Sequence, residues 1–297
     1  MNSGFVAIVG RPNTGKSTLI NALIGQKVAI TSHHPNTTRH AIRGILNGEG
    51  FQAVLVDTPG LHKPRTLLGK RLNEVISESL SDLDIFIVTL PANEAIGAGD
   101  KLVLELLRES KAKKFAVVTK IDTIAKEKLP EKLLEVQSLL PWDEIIPVSA
   151  IKDMQVMTLK ELVGSNLPVG PNYYPTEQSS DQSTEKLISE LIREAAIESA
   201  RQELPHSITV TIDELTKREG KNFFDIHATI HVERDSQRAI LLGHKGEMLK
   251  KIGTNARASI ERLLQARCFL GLHIKVSKDW QQDPKALQKL GFLEAKE

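Results

Sequence analysis

The sequence predicts an α/β first part, a mostly parallel mixed sheet with helices on both faces, followed by a smaller α+β part. Three observations predict it. Over residues 1–167, short aliphatic runs alternate with amphipathic stretches of helical period. Most of those runs are apolar throughout, as strands buried on both faces of a parallel sheet must be. After residue 183 the pattern becomes helix, two strands, two helices, strand and a final short helix.

Taken in order, the expected strands are FVAIVG (5–10), AIRGIL (41–46), FQAVLVD (51–57), DIFIVTL (84–90), KFAVVTK (114–120) and EIIPVS (144–149). Only NGEG separates the second from the third, which reads as a hairpin and the one antiparallel pair. STLINALIG, GKRLNEVISESL, DKLVLELLRES and EKLLEVQSLL supply the helices. Residues 168–183, PVGPNYYPTEQSSDQS, hold three prolines and a polar tail without periodicity, and read as a loosely packed linker. The domains are therefore expected at 1–167 and 184–297. In the second, TEKLISELIREAAIESARQ is a helix, HSITVTID and FFDIHATIHVER are strands, and SQRAILL and EMLKKIGTNARASIERLLQA are helices flanking GHKG. FLGLHIKVSK and DPKALQKLGF close it as strand and helix.

Composition sets wider bounds. The formal net charge of the 297 residues is only +2, and aromatics are scarce at 4%, so the cores must be aliphatic. The lone cysteine, Cys268, fits a reducing cytoplasm and reads as a small buried hydrophobe. No basic stretch precedes a long apolar one at the start, so no secretory signal is expected, and no apolar run approaches a membrane span.

The chemistry begins with GRPNTGKS at 10–17, which fits G-x-x-x-x-G-K-[ST] between a strand and a helix. Gly10 and Gly15 let the backbone of this loop curl so that the N–H groups of Gly10, Arg11, Asn13, Thr14, Gly15, Lys16, Ser17 and Thr18 surround phosphate oxygens, while Pro12, which has no N–H, lines the same loop. Lys16 reaches the β- and γ-phosphates, and the Ser17 hydroxyl offers a Mg²⁺ ligand. In DTPG, Asp57 ends a strand as the second Mg²⁺ group; Thr58 and Pro59 lead to Gly60, whose N–H senses the γ-phosphate. TKID at 119–122 follows a strand where a nucleotide-binding loop should emerge. The Asp122 carboxylate accepts two hydrogen bonds from guanine N1–H and its amine, a donor pair adenine lacks. Lys120 lays its stem along the base, and Ser149 and Ala150 present backbone N–H to guanine O6. GTP or GDP with Mg²⁺ is thus the expected cofactor set, and an ATPase or kinase is disfavoured.

The ordered set GRPNTGKS, TTR, DTPG, TKID and SA resembles the translation-factor-like GTPases over residues 5–150. GQKVAITSHHPNTTRHAIRGI, DTPGLH and ELPHSITVTIDE extend that resemblance, over essentially the whole chain, to a family of bacterial GTPases. The resemblance implies that Thr38, beside Thr37, is a switch threonine closing over Mg²⁺, and that Asn13 helps hold K⁺ against the phosphates. Leu61 stands where Ras-like proteins keep a water-orienting glutamine, a replacement the family shares. Lys16, Thr38, Gly60 and Asn13 are then the candidate catalytic groups; Ser17, Thr38 and Asp57 the metal ligands. Two departures stand out: Thr119 replaces the asparagine of NKxD, and SAIKDM lacks the glycine of SAxxG. A Thr119 hydroxyl can replace one of the amide's hydrogen bonds, at a cost of about 1 kcal/mol in nucleotide affinity.

Between Arg234 and Lys278 ten Lys or Arg face three acids, a local excess of seven positive charges in a nearly neutral chain. That is the footprint of a polyanion. The order helix, strand, strand, helix, GxxG, helix, strand matches a type II KH domain, whose GxxG loop clamps about four nucleotides of single strand. Gly243, His244, Lys245 and Gly246, with Lys250 and Lys251, are the expected RNA contacts; Ile240, Leu249 and Ile252 are expected to line the groove. The resemblance implies the 3′ end of small-subunit ribosomal RNA and the 30S subunit as partners, in a monomeric cytoplasmic protein with peripheral contact to the inner membrane left open. The expected activity is slow GTP hydrolysis gating RNA binding. The alternative is an RNA-binding assembly protein in which hydrolysis is only a slow timer.

Overall fold

The computed structural model describes residues 1–29, 42–57, 83–200 and 208–290. Thr37, Thr38, Thr58, Pro59, Gly60, Leu61 and the stretch GKRLNEVISESL lie outside the described residues. The chain divides into two compact units, one reaching residue 181 and the other running from residue 182.

The first unit is built on a six-stranded sheet of order β2-β3-β1-β4-β5-β6: β1 (Asn2–Val9), β2 (Ile42–Gly48), β3 (Phe51–Asp57), β4 (Ile85–Pro91), β5 (Lys113–Thr119) and β6 (Glu144–Pro147). Only β2, an edge strand, is antiparallel. Glu49 and Gly50 make its two-residue turn into β3, with Gly50 at φ +76°, a value that glycine adopts without steric cost. The helices among the described residues are α1 (Lys16–Ile24), α2 (Ala98–Leu107), α3 (Leu129–Gln137) and α4 (Val156–Asn166). Val6, Ile8, Leu55, Ile87 and Val117 pack on one face against α1 and α4. Ala7, Val9, Phe86, Val88 and Val118 pack on the other, against α2 and α3. Every residue of β4 is buried, which is why that run carries no alternation. The strand order reverses beside β1, so the carboxyl ends of β1, β4 and β5 open on one crevice.

The reading of 168–183 as a loose connection is corrected for residues 168–181. Ser3 N–H donates to Pro168 O at 2.8 Å and Ile45 N–H to Ser179 O at 2.9 Å. Gln52, fully buried, accepts from the amides of Tyr173 and Tyr174 and donates to Tyr174 O. Asn47 donates to Thr176 O and Gln178 O, and the Tyr173 ring lies 4.7 Å from that of Phe5. The segment uses the unpaired edge of β2 and borrowed side chains, so it needs no periodicity of its own.

The second unit has a three-stranded sheet, β7 (Thr209–Lys217), β8 (Phe223–Val232) and β9 (Arg267–Val276), with β8 central, antiparallel to β7 and parallel to β9. Its helices are α5 (Thr184–Ser199), α6 (Asp235–Leu242), α7 (Glu247–Leu264) and α8 (Pro284–Lys289). Ser183 caps α5 by accepting from Lys186 N–H. Ile188, Ile192 and Ala196 of α5 meet Ile226, Ala228 and Ile230 of β8 and Ile252, Ala256 and Ile260 of α7 in one core. Cys268 is buried there, and burial pushes its thiol up to about 11, away from reactivity.

Candidate functional site: a phosphate loop, a base loop and a GxxG groove

At the end of β1 the chain cannot run on as a strand. Gly10 takes φ +157°, and a Cβ there would lie 2.3 Å from Thr89 Oγ1, so only glycine fits. Asn13 at φ +66° and Gly15 at φ +95° complete the curl before α1 begins at Lys16. Asparagine is one of the few side chains that enters this left-handed region cheaply. Lys16 is buried, and its Nζ donates to Gly10 O at 2.9 Å and Arg11 O at 2.8 Å. The ammonium is thereby held over the mouth of a ring of backbone amides at a helix N-terminus, an arrangement suited to phosphate.

Neighbouring strands lace this loop in place. The Thr14 and Thr89 hydroxyls lie 2.6 Å apart and share a hydrogen bond, while Thr14 Oγ1 donates to Arg11 O. From the end of β5, Thr119 Oγ1 donates to Thr14 O at 2.7 Å, in the buried interior. So the threonine standing for an asparagine still braces the P-loop, with a hydroxyl in place of the amide.

Asp122 sits in a single 3₁₀ turn, Ile121–Thr123, entered through Lys120 at φ +58°. Ser149 Oγ donates to Asp122 Oδ1 at 2.6 Å, and Lys152 N–H donates to Ser149 Oγ. Ser149 and Met154 exchange backbone hydrogen bonds that close the loop. The missing glycine of SAxxG is explained by Asp153, which takes φ +53° at that very position; Asp tolerates it nearly as well as Asn. One expectation is corrected: the Ser149 amide is engaged with Met154 O, so the candidate N–H for a base oxygen moves to Ala150.

Charged groups that sequence reasoning missed cross the same crevice. Arg11 Nε donates to Asp100 Oδ2 at 3.0 Å, and its terminal nitrogen pairs with Glu94. Glu94 also meets Lys120 Nζ at 3.2 Å. Burial works against the Arg11 charge, yet the Glu94 hydrogen bond and the two carboxylates raise its pKa. The hydrogen bond from Arg11, outweighing burial, holds the Glu94 carboxyl below its ordinary range, with Lys120 adding to it. No motif marks PANEAIGAGD; the only signal was an acid-bearing loop between β4 and α2.

For a divalent cation, Ser17 lies in the first turn of α1, and β1–β3 pairing sets Asp57 opposite Ile8, just before the P-loop. Hydroxyl and carboxylate oxygens are the hard donors that Mg²⁺ takes together with phosphate.

In the second unit, α6 ends at Gly243 (φ +69°), Lys245 takes φ +49°, and Gly246 (φ +83°) caps α7. A Cβ on Gly243 would come within 2.7 Å of Met248 Cβ, whereas one on Gly246 meets nothing within 4 Å. Gly243 is thus demanded by packing, and Gly246 leaves an open approach. His244, Lys245, Lys250 and Lys251 are exposed. Beside the loop runs a groove of about 520 Å³ between α7 and β9, lined by Gly246, Leu249, Lys250, Arg257, Phe269 and Leu272. Ile252 does not line it: it is fully buried in the core, and Ile240 packs against that core half-buried. The α7 stripe is wide enough to serve both, with Leu249 on the groove and Ile252 a turn inward.

Known proteins resemble this chain over most of its length. A family described as 50S ribosome-binding GTPase matches residues 5–120, and the KH domain family matches residues 203–281. The GTPase Era of Mycolicibacterium smegmatis is 51% identical over 294 residues, 98% of each chain. That of Mycobacterium tuberculosis H37Rv is 51% identical over 98% of this chain and 99% of its own. A variant of Aquifex aeolicus Era, crystallised with GDP and AlF₄⁻, superposes with a TM-score of 0.93 at 32% identity, covering 98% of this chain and 99% of its own. An Era crystallised with MgGDPNP and nucleotides 1506–1542 of 16S ribosomal RNA also gives 0.93, at 33% identity and the same coverage.

Proposed function

The chain belongs to the Era family of GTPases, and we propose that it couples GTP hydrolysis in its first unit to binding of the single-stranded 3′ end of small-subunit ribosomal RNA by its second. The observation that carries this reading is the pairing, in one chain, of a braced P-loop and base loop with an open GxxG groove in the basic stretch 234–278. Support for the RNA comes from the relative crystallised with a 16S fragment.

In the proposed reaction, P-loop amides and Lys16 receive the β- and γ-phosphates and neutralise charge as the terminal phosphoryl leaves. Ser17, Thr38 and Asp57 would hold Mg²⁺, which when bound shields the phosphate oxygens. Asp122, oriented by Ser149, accepts from guanine, and Ala150 offers an amide to O6. Gly60 offers its amide to the γ-phosphate. With leucine at position 61, no side chain there orients water, so intrinsic turnover is slow. Asn13, exposed and in the left-handed conformation, is proposed to help hold K⁺ at the phosphates.

Turnover of GTP, with and without single-stranded RNA and in K⁺ or Na⁺, tests this. K⁺ and RNA should each raise the rate, and Asn13→Ala should erase the K⁺ effect. Equal rates in both salts would remove K⁺ from the site; a rate indifferent to RNA would leave hydrolysis as an independent timer. Crosslinking and sequencing of bound RNA in cells tests the 30S assignment. A monomeric cytoplasmic protein is part of the same proposal; the lone cysteine supports the reducing compartment alone, light scattering checks the monomer, and cell fractionation checks the compartment and any peripheral contact with the inner membrane.

A further inference from the structure

Glu94 belongs to none of the nucleotide-binding motifs, yet its carboxylate connects two of them. One oxygen pairs with Arg11 of the P-loop, the other with Lys120 of the base loop. Its own position is fixed twice over. Buried Lys132 on α3 donates to the Glu94 carbonyl at 2.8 Å and is itself paired with Glu135. Asp100, its side chain 1% exposed, accepts from both Arg11 Nε and Gly97 N–H, pinning the far end of the same loop.

We propose that Glu94 is a positioning residue of the guanine-nucleotide site, holding Lys120 and Arg11 in their binding geometry before nucleotide arrives. This rests on the nucleotide reading above. Lys120 has a long, mobile stem, and a base that stacks on it must otherwise immobilise that stem on binding. Tethering Nζ at 3.2 Å removes much of that cost in advance. With Thr119 in place of an amide, a hydroxyl braces the base loop to the P-loop, and Glu94 adds a further bridge between the same two segments. Glu94 touches neither base nor phosphate in this role.

The test is a double-mutant cycle on the full chain, reading the GDP dissociation constant of the wild type, Glu94→Gln, Lys120→Ala and the double variant, with melting temperatures as the fold check. Glu94→Gln should raise the constant about three- to fivefold, in line with a partly exposed ion pair, and leave kcat at saturating GTP unchanged. In the Lys120→Ala background the same change should have a clearly smaller effect, what remains passing through Arg11, and in about 1 M salt the single-variant loss should shrink. Equal or tighter GDP binding by Glu94→Gln overturns the proposal, as does an equal loss in both backgrounds. If Glu94→Gln does not fold, Glu94→Asp takes its place in the cycle, with the same dependence on Lys120 expected. A wild type that binds no guanine nucleotide at all would instead overturn the nucleotide reading itself.

Discussion

The P-loop and the GxxG loop solve a similar problem in opposite ways. Both place left-handed backbone just before a helix: Asn13 and Gly15 ahead of α1, Lys245 and Gly246 ahead of α7. Both suit a phosphate-bearing ligand. The P-loop, however, is laced by Thr89, Thr119, Lys16 and the Arg11–Glu94–Lys120 bridge, much of it buried. Around the GxxG loop, His244 and Lys245 are exposed, and Gly246 has open space where a Cβ would go. A braced cleft spends its ordering cost in folding and so can discriminate one base sharply. An open clamp accepts backbone of many sequences and leaves selection to the groove beside it.

The comparison can be broken most forcefully at Lys16. Lys16→Ala should weaken GTP binding about a hundredfold or more, since it removes a cation from the phosphate site, while RNA affinity stays unchanged. Titration of both ligands checks it; retained GTP affinity would undo the P-loop assignment. On the open side, Gly246→Asp should cut RNA binding about tenfold or more through charge and lost approach, with GTP turnover intact. Gly246 is the better target than Gly243, where a Cβ strikes Met248 and misfolding would confuse the result. A smaller effect is expected at the brace. Thr119→Val leaves the buried Thr14 carbonyl without its donor and should weaken GDP binding about five- to tenfold with a lower melting temperature. Thr119→Asn, restoring the amide, should instead tighten binding about fivefold.

The smallest effect concerns pH. Because Arg11 holds the Glu94 pKa below its ordinary value, the carboxylate is ionised above that range and its contribution is fully present there. It is lost only as pH falls through the lowered value. The ratio of GDP affinities between wild type and Glu94→Gln should therefore be flat from neutrality to about pH 5, and converge only in stronger acid. A ratio that changes near neutrality would mean another group titrates with the pair.

How much of this was legible beforehand follows from how local each feature is. The curl at Gly10 and Gly15 and the turn holding Asp122 were legible because GRPNTGKS and TKID place fixed residue types where a strand stops. The hairpin at Gly50 was readable from its short NGEG connection, and the helix beginning at Glu247 from the helical pattern that follows GHKG. Glu94 and Asp100 were not, since an ion pair spanning 83 residues leaves no periodicity and no spacing rule. The segment 168–181 was misread for a related reason: its order comes from Gln52, Asn47 and the edge of β2, all distant in sequence. Ile252 was assigned to the groove because helical spacing alone cannot say which side of a wide stripe faces inward.

The central claim is that the first unit reads guanine through Asp122. The most direct measurement is the affinity of the wild type and Asp122→Asn for GTP and for xanthosine triphosphate, whose 2-oxo group accepts a hydrogen bond where guanine donates one. The account predicts that Asp122→Asn loses GTP about a hundredfold or more and gains xanthosine triphosphate. Unchanged GTP affinity in that variant would contradict it.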